Sequence, residues 1–426
     1  MIEPRTLKGF RDFLPEQMLP RERLMEIART VYRSYGFRPI DTPALEYLDI
    51  LLGNGSEETD KQLYRFHDHG GRAVGLRFDL TVPLARFVSQ HMGKLGTPFK
   101  RYQIASVWRG ENTQRGRYRE FMQCDYDTIG TRSVVADIET TLVMHDLLRA
   151  IGIERFTIHI NDRRVLNGLL DKLQLADRSA SILRTLDKLG KIGPQRVARE
   201  LVDSVGLTDA ASANVLQLSE ISGTHDQVLT ALDRLVGEHA MGREGIDSLK
   251  QLVEGVQAAG VPPARIDLDP SIARGLDYYT GTVFETTLDD LPTIGSVCSG
   301  GRYDDLTGLY SRQPLPGIGA SLGLDRLLAA MDELELIETT RTSAPVLIPF
   351  FDPDRLSDYL RIASQIRAAG IGVELYPEAK RLGAQLKYAN RQGFRIALIA
   401  GQEELDAETC QVKDLQTGKS VTVSLG

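Results

Sequence analysis

The stretch that decides the fold is residues 98–130, PFKRYQIASVWRGENTQRGRYREFMQCDYDTIG. Two apolar-rich runs, Tyr102–Trp108 and Phe121–Tyr126, flank a polar segment that carries most of the charges. This pattern predicts a long antiparallel β-hairpin with a charged tip. Six lysines or arginines but only one acidic residue fall between Lys100 and Arg119. We therefore expect an electropositive spot suited to a phosphate or a nucleic-acid end, with a merely solvated hairpin tip as the alternative.

Strand alternation favours a ligand site over a solvated tip. The side chains that would point to one side of the second strand are Phe121, Gln123, Asp125 and Asp127. An amide and two carboxylates beside an aromatic ring make a poor core surface, because buried polar groups need partners. The same groups form a good wall for a small polar ligand.

Composition sets broad limits on the kind of protein. At 426 residues, with 42% hydrophobic and 26% charged residues, the chain should form two or three globular domains. Cys124, Cys298 and Cys410 have no metal-ligand spacing, and an odd count argues against a disulfide framework, which indicates a reducing cytoplasm. No apolar run has the length of a membrane span, and residues 1–15 lack the apolar core of a signal peptide. The net charge of −7 argues against a general nucleic-acid binder.

Two segments before the hairpin are predicted to be strands. Residues 35–51, YGFRPIDTPALEYLDIL, should be one extended strand whose prolines place it at an edge or an interface. Residues 76–83, LRFDLTVP, alternate so that Arg77, Asp79 and Thr81 share one side. A carboxylate beside a hydroxyl can hold an ammonium group, and a structural salt bridge is the competing interpretation.

The rest of the chain shows three further patterns. Residues 162–260 have helical periodicity broken by glycines, which predicts an inserted helical domain. Residues 265–285 and 295–304 predict strands and loops beside the same sheet, and GIGASLGLDRLLAAM, residues 317–331, predicts a strand that runs into a helix. After a polar linker, alternating strands and helices over residues 344–426 predict a small α/β domain.

These segments resemble the histidyl-tRNA synthetase family of the class II aminoacyl-tRNA synthetases. Residues 98–130 are similar to motif 2 and residues 317–331 to motif 3. RGLDYY at 274–279 matches a family motif in full, and SGGRYD at 299–304 matches a second one, with Ser299 where alanine is more common. The resemblance implies an α+β fold, with a catalytic domain built on an antiparallel sheet flanked by helices. The implied domains are a catalytic core over 1–161 and 261–335, a helical insertion over 162–260, and an α/β anticodon-binding domain over 344–426.

The resemblance also implies the residues of the site. The implied catalytic residues are Arg274, beside the reacting oxygen, and Arg109, on the α-phosphate. The implied histidine-binding residues are Asp79, Leu80, Thr81, Arg109, Gln123, Asp127, Arg274, Tyr278 and Tyr279. The implied ATP-binding residues are Arg109, Glu111, Arg117, Phe121 and Arg326. The loop implied to read the tRNA acceptor end is Asn112, Thr113, Gln114 and Arg115. No dedicated metal site is predicted, and Mg²⁺ is implied only by ATP.

The activity implied by the resemblance is that of a histidine–tRNA ligase. Such an enzyme activates L-histidine with ATP to histidyl-adenylate and pyrophosphate, then transfers histidine to the 3′ end of histidine tRNA. The sequence before residue 51 predicts an amphipathic helix that starts near Pro15 and stops at Gly36, followed by the strand over residues 35–51. Together they resemble motif 1, which lies at the dimer contact in this family, so a homodimer is expected. A cytoplasmic protein with no membrane partner is also expected, from the cysteines and the lack of a long apolar run. The alternative is the synthetase-like regulatory subunit of ATP phosphoribosyltransferase, which keeps the core fold without aminoacylation. The intact arginines and tyrosines and the extra C-terminal domain favour the enzyme.

Overall fold

The structure is a computed structural model that describes residues 1–53, 57–272, 279–310, 315–337 and 341–425. The chain divides into two compact units, which are Met1–Arg11 with Leu24–Glu335, and Asp12–Arg23 with Leu336–Gly426. Within the described residues, no helix is both long and apolar enough to cross a membrane.

In chain order, the elements from the N-terminus to the strand before the helical segment are α1 (Pro15–Ser34), β1 (Arg38–Pro39), β2 (Leu45–Tyr47), α2 (Leu48–Leu52), α3 (Glu57–Gln62), β3 (Arg65–His67), β4 (Ala73–Leu76), α4 (Thr81–Leu95), β5 (Phe99–Trp108), β6 (Glu120–Ile129), α5 (Val134–Ile151) and β7 (Phe156–Asp162). A helical segment follows, made of α6 (Arg163–Lys172), α7 (Ser179–Leu186), α8 (Leu189–Ile192), α9 (Pro194–Asp203), α10 (Asp209–Leu216), α11 (His225–Val236) and α12 (Ala240–Ala258). The first unit then continues through β8 (Ile266–Leu268), β9 (Thr282–Leu288), β10 (Cys298–Tyr303), β11 (Gly317–Gly323) and α13 (Leu324–Glu333).

An eight-stranded sheet organises the first unit, in the order β1-β5-β6-β11-β10-β9-β7-β8. Its strands pair antiparallel except at the two edges, where β1 joins β5 and β8 joins β7 in parallel. The predicted hairpin is confirmed, because β5 and β6 pair from Phe99 opposite Ile129 to Trp108 opposite Glu120. A separate three-stranded sheet has the order β2-β4-β3.

The two faces of β6 have different surroundings. The Tyr32 hydroxyl of α1 donates to the carbonyl of Cys124 at 2.8 Å, and the Tyr126 hydroxyl donates to the carbonyl of Thr140 in α5 at 2.8 Å. Cys124 and Tyr126 are therefore buried beneath helices. The alternate positions of the strand are left to face the opposite side of the sheet.

The prediction of one extended strand over residues 35–51 is wrong. The segment gives two short strands in different sheets, β1 and β2, and then α2. Proline explains the break, since Pro43 lacks an N–H for a ladder and restricts the backbone of the residue before it. The edge position was predicted correctly, because Pro39 lies in the edge strand β1, opposite Tyr102.

The strand predicted over residues 76–83 is also wrong beyond its first residue. β4 ends at Leu76, and α4 begins at Thr81. The Asp79 Oδ1 atom accepts hydrogen bonds from the backbone N–H groups of Thr81 at 3.1 Å and Val82 at 2.9 Å. An aspartate that accepts from the first free N–H groups favours a helix start, and proline is tolerated in the first turn.

The second unit contains β12 (Val346–Ile348), α14 (Leu356–Ala368), β13 (Val373–Leu375), α15 (Leu382–Gln392), β14 (Ile396–Ile399), α16 (Gln402–Asp406), β15 (Thr409–Asp414) and β16 (Ser420–Ser424). Its five strands form one sheet of order β13-β12-β14-β15-β16. The alternating helices and strands were predicted; the short helix α16 was not. Tyr359 of α14 is fully buried, and its hydroxyl donates to the carbonyl of Ala400 at 2.8 Å.

Candidate active site

A cavity of about 300 Å³ in the first unit collects most of the predicted site residues. Those that line it are Asp79, Thr81, Arg109, Glu111, Arg117, Phe121, Gln123, Asp127, Tyr279 and Arg326. Four side chains of β6 face it at alternate positions, namely Phe121, Gln123, Asp125 and Asp127. The polar wall expected from strand alternation is therefore present.

Other predicted site residues lie elsewhere. The Leu80 side chain is fully buried and is not among the described residues that line the cavity. The loop Asn112–Arg115 is exposed at the hairpin tip, where Arg115 pairs with Glu333 of α13 at 2.7 Å. Arg274 and Tyr278 lie outside the described residues.

The basic excess predicted for the hairpin tip is smaller than expected. Arg101 is fully buried in β5, and its Nη2 atom lies 2.6 Å from the Oδ2 atom of Asp127. Lys100 is also in β5 and pairs with Glu139 at 2.6 Å. The count of basic residues over 100–119 included these two strand residues together with the tip. Their side chains point to opposite faces of β5 and not to the tip.

Arg109 and Arg117 supply positive charge at one end of the cavity. The Arg109 guanidinium lies 4.3 Å from the Phe78 ring and 5.1 Å from the Phe121 ring, and its Nε atom donates to the carbonyl of Phe78 at 3.1 Å. The Glu111 Oε1 atom lies 3.8 Å from Arg109 Nη1, and its Oε2 atom lies 3.9 Å from Arg117 Nη1. These contacts hold the Arg109 fork in place and leave it partly exposed to the cavity.

Residues of the first turn of α13 line the other side of the cavity. Arg326 donates to the carbonyl of Ser296. Asp325 accepts from the backbone N–H of Met122 at 2.8 Å and from Arg11 at 2.6 Å, so the helix start is tied to β6 and to the N-terminal loop. Gly116 of the hairpin tip has φ +70°, and a Cβ atom there would lie 3.4 Å from the Arg326 Cα atom. The positive φ favours glycine at this position, where the tip lies against α13.

Asp127 is held by residues that were not predicted. Its Oδ2 atom pairs with Arg101, and its Oδ1 atom accepts from the Tyr303 hydroxyl of β10. Burial raises the pKa of Asp127, while Arg101 and the Tyr303 hydroxyl lower it. Gly319 of β11 makes room for this carboxylate, since a Cβ atom there would lie 2.1 Å from Oδ1.

Asp79 and Tyr279 complete the polar end of the cavity. Burial raises the pKa of Asp79, opposed by its backbone hydrogen bonds and by Arg109 and Arg101. The backbone of Tyr279 is held by Arg163, which opens α6, through a hydrogen bond from Nη1 to the Tyr279 carbonyl at 3.1 Å. The backbone N–H of Arg163 also donates to the carbonyl of Gly281 at 2.9 Å.

Two residues around the cavity left a signal in the sequence. Tyr303 lies in the GGRYD segment, and Asp125 follows the alternation of β6. Arg101 left no usable signal, because a buried arginine is recognised only by its partner and Asp127 lies on another strand.

One possible metal site exists among the described residues, and its ligand atoms are already engaged. His159, Asp267 and Asp269 offer ligand atoms within 4.8 Å of one another. However, the two ring nitrogens of His159 lie 2.8 Å from Asp267 and 3.0 Å from the Thr287 hydroxyl. The Asp269 Oδ1 atom accepts from the backbone N–H and hydroxyl of Ser271. The arrangement is a satisfied hydrogen-bond cluster.

The large antiparallel sheet, with a charged hairpin and a glycine-rich strand and helix around one cavity, is the architecture expected of a class II aminoacyl-tRNA synthetase. Comparison with known proteins agrees. Residues 9–327 match the family model described as histidyl-tRNA synthetase, and residues 346–426 match one described as anticodon binding domain. The chain belongs to the histidyl-tRNA synthetase family. The predicted α+β fold class is thereby confirmed.

Individual relatives cover all or nearly all of the chain. A histidine–tRNA ligase of Rhodopirellula baltica is 60% identical over 424 residues, which span 100% of this chain and 96% of the relative. The crystal structure of histidyl-tRNA synthetase from Nostoc sp. is 35% identical with a TM-score of 0.91, covering 100% of this chain and 98% of that one. A Bacillus halodurans structure, described as an ATP phosphoribosyltransferase regulatory subunit/histidyl-tRNA synthetase, has a TM-score of 0.77 at 24% identity. It covers 93% of this chain and 98% of its own, and shows the fold alone.

Proposed function

We propose that the chain catalyses the reactions of a histidine–tRNA ligase. It activates L-histidine with ATP, releases pyrophosphate, and transfers the histidyl group to the 3′ end of histidine tRNA. The observation that carries this proposal is the cavity itself, which joins arginines suited to phosphate at one end to buried carboxylates and an amide at the other. A subunit that does not activate an amino acid would not require phosphate-binding arginines beside such a pocket.

The first step requires the histidine carboxylate to attack the α-phosphorus of ATP, so negative charge builds up on a five-coordinate phosphorus. Catalysis then depends on positioning and on fixed positive charge. Arg109 would hold the α-phosphate and the carboxylate, because its planar fork can bind two oxygens at once. Its contacts with Phe78 and Phe121 fix the guanidinium before the substrates arrive. Arg274 would act beside the reacting oxygen, as the family resemblance implies.

The nucleotide would be held by residues of the hairpin and of α13. Phe121 would stack on the adenine ring, and Glu111 would accept from the adenine amino group. Arg117 would act with Arg109 on the phosphates, and Arg326 would bind the γ-phosphate. Mg²⁺ would come with ATP and would neutralise phosphate charge, and the cavity carboxylate of Glu285 is an oxygen ligand of the type it prefers.

The amino acid would bind at the carboxylate end. Asp127 would accept from one imidazole nitrogen, with Tyr278 or Tyr279 at the other. Gln123, Asp79, Thr81 and the Leu80 backbone would orient the amino acid. A site built from hydrogen bonds rejects apolar analogues by factors of roughly 10⁴ or more, because their binding leaves buried polar groups unpaired.

The remaining parts of the chain would serve the tRNA. The exposed loop Asn112–Arg115 would contact the acceptor end, the insertion over 162–260 would support the acceptor arm, and residues 344–426 would bind the anticodon. The catalytic core would be residues 1–161 and 261–335. We place the enzyme in the cytoplasm.

A homodimer is part of the proposal, and one apolar surface supports it. Tyr47 of β2 and Phe66 of β3 both lie opposite Val74 of β4, so the three share one face of the small sheet. Tyr47 and Phe66 are exposed in the single chain. Large exposed apolar side chains grouped on one sheet face favour a protein contact.

The proposal is tested by pyrophosphate exchange into ATP with each of the twenty amino acids in turn, using the purified full chain without tRNA. Exchange with histidine alone is expected, followed by charging of histidine tRNA. Absence of exchange with every amino acid would favour the regulatory alternative. Exchange with a different amino acid would overturn the substrate assignment alone.

A further inference from the structure

The N-terminal loop, residues 8–11, contacts the hairpin tip and has no role in the function described so far. The Gly9 carbonyl accepts from the backbone N–H of Arg119 at 3.0 Å, and the Lys8 carbonyl accepts from the Arg119 side chain at 3.4 Å. Gly9 has φ +88°, a conformation that favours glycine, and a Cβ atom there would lie 3.0 Å from the Thr113 Cγ2 atom. The loop is therefore shaped to lie against the tip.

Arg11, the last residue of this loop, contacts two elements that line the cavity. Its guanidinium lies 3.1 Å from the centre of the Tyr118 ring in the hairpin tip. Its Nη2 atom lies 2.6 Å from the Oδ1 atom of Asp325 in the first turn of α13. Tyr118 and Asp325 both line the cavity. Arg11 therefore bridges the two elements that supply Arg117 and Arg326.

Asp325 places a buried carboxylate beside Arg326, the residue proposed to bind the γ-phosphate. The Asp325 side chain is only 2% exposed. Its Oδ2 atom accepts from the backbone N–H of Met122 at 2.8 Å, and its Oδ1 atom pairs with Arg11. Without Arg11, the charge of this carboxylate would be costly to bury and would repel the triphosphate of ATP. Arg11 thus supplies a balancing charge from behind the wall of the cavity.

We propose that Arg11 is a positioning residue for ATP. It holds the hairpin tip against the first turn of α13 and neutralises Asp325, so that Arg117 and Arg326 can bind the triphosphate without an opposing charge. Arg11 is not among the described residues that line the cavity, so it acts through Tyr118 and Asp325. The inference rests on the proposed function, which supplies ATP as the substrate.

The test measures the binding of ATP and of histidine separately. Dissociation constants are determined by calorimetry on the full chain with Mg²⁺ present, for the wild type, Arg11→Met, Arg11→Lys and the double variant that combines Arg11→Met with Asp325→Asn. Arg155→Met is the matched control. Arg155 also pairs with an aspartate of the same unit, Asp290 at 3.0 Å, but it is 68% exposed, and surface ion pairs contribute little.

Arg11→Met should raise the dissociation constant for ATP roughly tenfold, because an uncompensated charge then acts against the triphosphate. The dissociation constant for histidine should stay within about twofold of the wild type, since the residues proposed to bind it share no partner with Arg11. Arg11→Lys should bind ATP with intermediate affinity, because lysine keeps the charge and loses the planar stack on Tyr118. Arg155→Met should bind both ligands as the wild type does.

The double variant separates charge compensation from general stabilisation of the fold. Asn at position 325 keeps an acceptor for the N–H of Met122 and removes the opposing charge. The double variant should therefore recover most of the ATP affinity that Arg11→Met loses. A residue that only stabilised the fold would not be rescued by a second loss at its own partner.

Three results would overturn the inference: unchanged ATP affinity in Arg11→Met, an equal loss for ATP and histidine, or no recovery in the double variant. If Arg11→Met does not fold, Arg11→Gln makes the same comparisons. Calorimetry with ATP requires no catalysis, so the two proposals can fail separately. A wild type that binds ATP but supports no exchange overturns the proposed function alone, and one that does not bind ATP overturns both.

Discussion

Replacing Gly319 by alanine should damage histidine binding selectively. A Cβ atom at this position would lie 2.1 Å from Asp127 Oδ1, 2.4 Å from its Cγ atom and 2.5 Å from the carbonyl oxygen of Tyr126. The carbonyl belongs to the paired strand β6, so the aspartate side chain must move and the backbones of β6 and β11 must also separate slightly. Restoring an ordinary contact requires a shift of roughly 1 Å, and a misplacement of that size can cost about 100-fold in a reaction that depends on orientation. The displaced carboxylate also loses its geometry with Arg101 and Tyr303.

The measurement is histidine-dependent pyrophosphate exchange, with KM determined separately for histidine and for ATP, together with urea unfolding. For Gly319→Ala we expect a rise of about 100-fold in the KM for histidine, little change in the KM for ATP, and a loss of about 1–3 kcal/mol in the free energy of unfolding. Gly93→Ala is the matched control, since Gly93 lies in α4 with nothing within 4 Å of its added Cβ. A histidine KM within threefold of the wild type in Gly319→Ala would refute the assignment of Asp127 to the substrate.

Three further predictions concern the groups that support the cavity. Arg101→Met should lower the free energy of unfolding by about 3–5 kcal/mol in urea, because it leaves Asp127 as an uncompensated buried charge; a stable variant would mean that Asp127 is neutral. Because burial raises the pKa of Asp125 to about 7, the folded state holds a proton that the unfolded state has released, and stability should fall as pH rises from about 4 to 7. Asp125→Asn should reduce that fall, and an identical pH profile of unfolding would contradict the shift. Arg163→Ala should raise the KM for histidine about tenfold at nearly constant KM for ATP, since one hydrogen bond to Tyr279 is lost; an equal rise in both would indicate a general loss of structure.

The sequence was most informative where local periodicity and chemistry agree. The hairpin could be predicted because its two apolar runs and polar tip form one continuous pattern, and the wall of β6 followed from alternation alone. Prediction from the sequence failed over residues 35–51 and 76–83, where proline and a capping aspartate interrupt an apparent strand. In both places a local feature, a proline in the first and an aspartate that accepts from helical N–H groups in the second, ends the extended conformation that the alternation suggests.

Supporting residues were the hardest to predict from sequence. Arg101 looked like part of a basic surface, yet it is a buried counter-ion to Asp127. Arg163 opens a helix of the segment predicted to be an insertion, yet it holds the backbone of a pocket tyrosine. Their roles depend on contacts between residues far apart in the chain, which a single sequence does not encode as a local pattern.

The pairing of β6 with β11 also bears on how the protein folds. Gln123 Nε2 donates to the Ser321 hydroxyl across this strand pair, although the two residues are 198 positions apart. Closing so long a loop costs conformational entropy before the strand pairing contributes any stabilisation. Contacts of this kind therefore form slowly. The hairpin and the helical segment are local and can form first, whereas the cavity exists only once the two strands meet. A chain still emerging from the ribosome would therefore be unable to bind histidine or ATP at this site until β11 had been synthesised.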